Sequence, residues 1–148
     1  MALHLKSLVL NERQICDLEL LLNGAFKPLK SFMNKEDYDS VLKDMRLSSG
    51  DLWPIPITLD INENTKKDTN LDINSEVALR DHEGFLIATL KITELWKINK
   101  KEEARAVYGT NDKNHPGVNY LYKHVGDYYI AGDLKLSELP KHYDYQLL

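Results

Sequence analysis

A chain of 148 residues with 43% hydrophobic and 28% charged residues has the composition of one globular domain, and it contains no apolar run near the ~20 residues that span a bilayer. Its formal net charge of −4 argues against a nucleic-acid module, whose affinity comes mainly from cations set against phosphates. A single cysteine, Cys16, excludes an intramolecular disulfide and a cysteine-based zinc cluster, and with no signal-peptide pattern it points to a reducing, cytoplasmic setting.

The first element is a helix over residues 11–23. Asn11 is suited to cap it, Gln14 three residues later completes a capping-box pattern, and Gly24 supplies the stop. Ile15, Leu18, Leu21 and Leu22 recur at helical spacing. Cys16 lies beside that apolar face and reads as a buried, inert thiol. Asp17 and Glu19 flank the same face. Paired carboxylates can act as acid and base in a closed site, but charged helix residues more often form a polar face or an ionic contact to a neighbouring domain. Residues 25–32 carry Phe26, Pro28, Leu29 and Phe32, which is too apolar for a free loop, so this segment is expected to pack on the core.

A second helix starts at Asn34, with Tyr38, Val41, Leu42 and Met45 as its buried face and Glu36 and Asp37 near its positive end. Period-two patterning follows in residues 52–60, where Pro54 and Pro56 confine the start of a strand to an edge or an irregular stretch. Residues 62–74 are polar and predict a surface excursion. Two strands, residues 76–80 and 85–95, are joined by Asp81-His82-Glu83-Gly84 as a hairpin. Residues 99–108 form a helix capped by Asn99 and stopped by Gly109; the run Lys100-Lys101-Glu102-Glu103 reads as its solvated start. Pro116 opens another short helix with Val118, Leu121 and Tyr122. A last strand, residues 128–136, is expected to break near Gly132, and residues 140–148 to be an exposed linker. Strands mixed with short helices, without regular βαβ alternation, predict an α+β domain on a small mixed or barrel-like sheet.

Motifs for chemistry are absent from the chain. It has no phosphate-binding glycine loop, no H-E-x-x-H and no histidine pair at i, i+4. His115 before Pro116 could present its imidazole to an anion at a helix N-terminus; capping the turn is the commoner role. The eight tyrosines, among them Tyr128, Tyr129, Tyr143 and Tyr145, lack accompanying cations and read as core and interdomain packing, not a stacking platform.

Four segments carry more information by their order. Leu22-Asn23-Gly24-Ala25-Phe26-Lys27-Pro28-Leu29, Trp53-Pro54-Ile55-Pro56-Ile57-Thr58-Leu59-Asp60, His115-Pro116-Gly117-Val118 and His142-Tyr143-Asp144-Tyr145 resemble, in this sequence, landmarks of the N-terminal part of ATP sulfurylase (sulfate adenylyltransferase). Ala25, Ser31 and Ala131 depart from it by standing where the family has glycine. The resemblance implies a PUA-like pseudo-barrel with flanking helices over residues 1–140, and in residues 141–148 the start of a linker to an absent catalytic domain. It implies that the full enzyme joins sulfate to the α-phosphate of ATP, using Mg-ATP, as a homo-oligomer. The family's Q-x-R-N-P-x-H-x-x-H signature has no counterpart in these residues, so no catalytic, cofactor or metal position is carried over, and the chain alone is expected to be inactive. Its expected partner is the catalytic domain, with Asp17, Glu19, Phe26, Pro28, Phe32, His115, Tyr143 and Tyr145 as candidates for interdomain packing. The alternative is a free-standing PUA-like binding module, with RNA the first ligand to test.

Overall fold

The longest strand carries the architecture. In the computed structural model, which describes residues 6–69 and 71–136, β4 (Leu86–Lys97) pairs on one side with β3 (Glu76–Arg80) and on the other with β5 (Tyr128–Leu136), both antiparallel. Parallel β1 (Lys6–Val9) adds beyond β3, and antiparallel β2 (Leu59–Ile61) beyond β5, giving the order β1-β3-β4-β5-β2. The five-stranded mixed sheet curls into a half-barrel of α+β class. Leu90 and Ile92 of β4, Val77 and Leu79 of β3 and Ile130 of β5 are fully buried in one core with Leu18 of α1.

The helices start where local chemistry dictates. α1 (Glu12–Leu22) has the full capping box: the Gln14 amide N–H donates to Asn11 Oδ1 at 2.8 Å, and Gln14 Oε1 accepts from the Asn11 N–H at 2.9 Å. α2 (Lys35–Asp44) is capped by Asn34, and α4 (Lys100–Tyr108) by Asn99 with left-handed Gly109 at its end. α5 (Pro116–Lys123) begins with proline, whose missing N–H costs nothing in a first turn. The Asp81–Gly84 turn joins β3 to β4 as the pattern predicts, and Phe32 and Leu29 of the 25–32 segment enter the core.

Several expectations need correction. Met45 is not on the buried face of α2: it is the left-handed C-cap and 54% exposed, because the helix ends before another turn can bring it inward. Residues 62–74 are not simply a surface excursion. They contain α3 (Glu63–Thr69), and Leu71 is buried, since one apolar residue suffices to pin a polar segment to a core. Of residues 52–60 only Leu59 and Asp60 join a ladder, as part of edge strand β2; Leu52 makes an isolated bridge with Arg46 and is exposed. β5 does not break at Gly132. The irregularity lies opposite, where the β4 register slips between Ile92 and Glu94, and there Gly132 lets the Lys91 carbonyl oxygen of β4 come closer than any Cβ would allow. None of the three positions where the family's glycines are replaced, Ala25, Ser31 and Ala131, has a positive φ, so the replacements are free of backbone strain. Residues 140–148 and the expected domain boundary there lie outside the described residues.

Candidate functional site

Three elements that are distant in the chain enclose a polar cleft: α1, the segment running into β2, and the α4–α5 pair. Its floor is organised by Asp60. The Asp60 Oδ1 accepts from Gln14 Nε2 at 2.9 Å, and Oδ2 accepts from the Gly126 N–H at 2.7 Å. One carboxylate thus ties α1, β2 and the turn before β5, and Gln14, 8% exposed, serves both as capping-box partner and as strut.

Glu103 forms the inner wall. It is only 8% exposed, and its Oε1 accepts from Tyr129 Oη at 2.7 Å and from Tyr38 Oη. Tyr38 comes from α2 and Tyr129 from β5, and their rings pack edge to face with centroids 5.2 Å apart. Burial raises the Glu103 pKa from the ordinary carboxyl value, against the two hydroxyl donors and Arg13, which favour its charge; Asp60 raises it further. Tyr129 and Tyr38 are pushed up as well, by burial first and then by the Glu103 charge, so both remain donors. The expectation that Glu103 belongs to a solvated helix start is corrected. It lies one turn before Val107, on the face that α4 turns inward.

At the mouth, the Arg13 guanidinium lies 5.2 Å from the centre of the Tyr120 ring, in cation–π range. Asp17, one turn further along α1, is half-buried; burial raises its pKa and the nearby Arg13 pulls it back. The enclosed space is about 30 Å³, room for roughly one water. Its lining sets Asp17, Asp60 and Glu103 against one cation, Arg13. A nucleoside triphosphate with magnesium fits neither the volume nor the charge of this cleft. Among the described residues no group of three or more His, Cys, Asp or Glu is arranged to hold a metal ion. What this arrangement can do is fasten helices to a sheet.

The candidate interdomain residues are dispersed. Asp17 lines the cleft, whereas Glu19 lies on the other flank of α1 beside the Asp81–Glu83 turn. Cys16 shares that flank and is exposed, so the buried thiol is corrected: one residue's step around α1 carries it out of the apolar face. Phe26 packs edge-on against Trp53, centroids 5.6 Å apart. Pro28 and Phe32 border one groove with Asn34 and Gly132; Pro28 is exposed and Phe32 is 2% exposed. His115 is exposed and caps α5, its Nδ1 accepting from the Gly117 N–H at 3.1 Å, with its ring 5.1 Å from that of Tyr108. Tyr143 and Tyr145 lie outside the described residues. Sequence reasoning missed Arg13, Asp60, Tyr120 and Glu103 as a group. The one available signal was the i, i+4 stripe of Glu103 and Val107, which places a carboxylate on an apolar helix face.

The model of the PUA-like domain matches residues 1–139, and the observed α+β half-barrel is consistent with it. The chain belongs to the PUA-like domain family. Among curated relatives, it is 48% identical over 150 residues to the sulfate adenylyltransferase of Candida albicans, which covers 95% of the chain and 28% of that protein. It is 43% identical over 145 residues to the Mycosarcoma maydis sulfate adenylyltransferase, covering 97% of the chain and 25% of the relative. For the Saccharomyces cerevisiae sulfate adenylyltransferase the values are 45% over 136 residues, 92% and 26%. The chain therefore spans about a quarter of the length of the relatives it matches, and that quarter is their N-terminal part. Among solved structures, the hexameric APS kinase from Thiobacillus denitrificans superposes with a TM-score of 0.67 at 30% identity, over 99% of this PUA-like chain and 24% of that one. Among the described residues no helix is long and apolar enough to cross a membrane.

Proposed function

We propose that this PUA-like domain is the scaffold of a sulfate adenylyltransferase, the enzyme that joins sulfate to the α-phosphate of ATP and releases pyrophosphate. In this reading it braces a catalytic domain and contributes to subunit contacts in a cytoplasmic homo-oligomer, while Mg-ATP is handled elsewhere in the polypeptide. The observation that carries it is the alignment of 92% to 97% of the chain with one quarter of three sulfate adenylyltransferases. The cleft supports it from the other side, because its single-water volume and surplus of carboxylates suit internal bracing better than phosphate chemistry. The hexameric neighbour makes an oligomer the reasonable setting.

The test has two arms. The 148-residue chain alone should release no pyrophosphate from ATP in a sulfate-dependent manner. Grafted into the Candida albicans enzyme in place of the segment it aligns with, it should restore that release, whereas deleting the segment abolishes it. Sulfate-dependent release by the isolated chain would overturn the proposal. So would a deletion variant as active and as fully assembled as the chimera.

A further inference from the structure

β1 and β2 are the two ends of the sheet, and because the sheet curls into a half-barrel they border one groove of about 470 Å³. Residues 7–11 line it on one side and residues 59–62 on the other, with the exposed Lys123 and His124 from the end of α5. The direction of the β1 backbone follows from its ladder. The Leu10 N–H donates to Arg80 O of β3 at 2.8 Å, and Leu8 is in register with Leu79. Backbone groups alternate in direction along a strand, so Leu8 and Leu10 serve β3 while Ser7 and Val9 turn their N–H and C=O the other way, toward the groove. Natural sheet edges are blunted by charge, proline or a bulge. Neither outward position of β1 has such a guard: they are Ser7 and Val9, and Val9 is 65% exposed.

We propose that this groove binds an extended acidic segment of a partner polypeptide, which adds to the open edge of β1 as a further strand. The partner's main chain would pair with the outward groups of Ser7 and Val9, the hydrogen bonds that any strand can supply. Charge selects among strands. Asp60 lines the groove, but its two carboxylate oxygens already accept from Gln14 Nε2 and the Gly126 N–H. The charge that an incoming segment meets is therefore that of Lys123, with the His124 imidazole beside it, a basic lining in a chain of net charge −4. Acidic side chains complement it, and a β-branched residue set across from Val9 gains a cross-strand contact.

The probe is the peptide acetyl-Glu-Val-Glu-Val-Glu-Val-amide, titrated into the 148-residue chain and followed residue by residue through amide hydrogen exchange. In the free chain the Ser7 and Val9 amides should exchange faster than those of Leu8 and Leu10; saturating peptide should slow both by at least about tenfold. Raising salt from about 0.05 M to about 0.5 M should weaken binding several-fold, and Lys123→Glu should weaken it by about tenfold. Val9→Pro removes one outward N–H and no bond to β3, so the variant should fold and lose the peptide. Unchanged exchange at Ser7 and Val9, equal binding of acetyl-Lys-Val-Lys-Val-Lys-Val-amide, or wild-type affinity in V9P would each overturn the proposal. Protection of the same two amides that rises with protein concentration in the absence of peptide would give the edge to a second copy of the chain, and overturn it as well. If V9P fails to fold, the exchange measurement and K123E decide. No readout involves sulfate-dependent pyrophosphate release, so the result stands apart from the function proposed above.

Discussion

Gly132→Ala tests the packing of the two longest strands. A Cβ at Gly132 would stand 1.8 Å from Lys91 O, 2.7 Å from Lys91 C and 3.1 Å from Ile92 Cα, all backbone atoms that no rotamer change can move aside. Real Cβ contacts are essentially never shorter than 3.0 Å, so β4 must retreat by at least about 1.2 Å at that point. A shift of that size stretches the adjacent ladder hydrogen bonds beyond useful length, at about 1 kcal/mol each. It also lifts Ile92 and Ile130, both fully buried, out of register with the core. Overpacking of this kind costs roughly 1–3 kcal/mol before hydrogen bonds are counted. We expect a loss of about 3–4 kcal/mol, and so a fall in Tm on the order of 10 °C for a chain of this size. Gly109→Ala is the control. Gly109 has φ +72 but nothing within 4 Å of its added Cβ, so it should cost only the left-handed penalty, about 1–2 kcal/mol. Urea unfolding of both variants at constant m-value is the assay. If G132A is no less stable than G109A, the close approach of β4 to β5 is wrong.

Three further outcomes follow from other parts of the fold. Leu18→Ala removes a fully buried side chain where α1 meets the sheet and should cost about 2–5 kcal/mol by urea unfolding; a loss under about 1 kcal/mol would show that α1 is not seated there. Asn11→Ala removes the acceptor for the Gln14 N–H and the N-cap half of a two-way capping box, and should cost about 1–2 kcal/mol; wild-type stability would show that the cap is already met by solvent. Cys16, being exposed, should react with one equivalent of a disulfide reagent in the folded chain at close to the rate in urea, and protection of a hundredfold or more would return it to the interior.

The elements were largely legible because their signals are local. Asn11 with Gln14, Asn99 with Gly109, and His115 with Pro116 each mark a helix end within a few residues, and the structure uses all of them as caps or stops. Leu86, Ala88, Leu90 and Ile92, which alternate along the sequence, share a buried face of β4, although Ile87 on the other face is buried too. Failures came where one long-range contact overrides composition. Leu71 is buried although its segment is polar, and the register slip beside Gly132 lies on β4, not β5, where the missing Cβ lets the two backbones approach.

The cleft belongs to the second kind. Arg13, Asp60 and Glu103 are each unremarkable in sequence: a helix residue, the end of a strand motif and one of two glutamates in a charged run. By itself the amino-acid order determined the ends of α1 and α4, the start of α5 and the ordered motifs through which the chain resembles its family, since these depend on neighbours a few residues away. Only the tertiary structure decided that Glu103 leaves water to receive two hydroxyls from α2 and β5. The physical reason is that desolvation is set by whatever folds over a side chain, and here those groups lie 65 and 26 residues away along the chain.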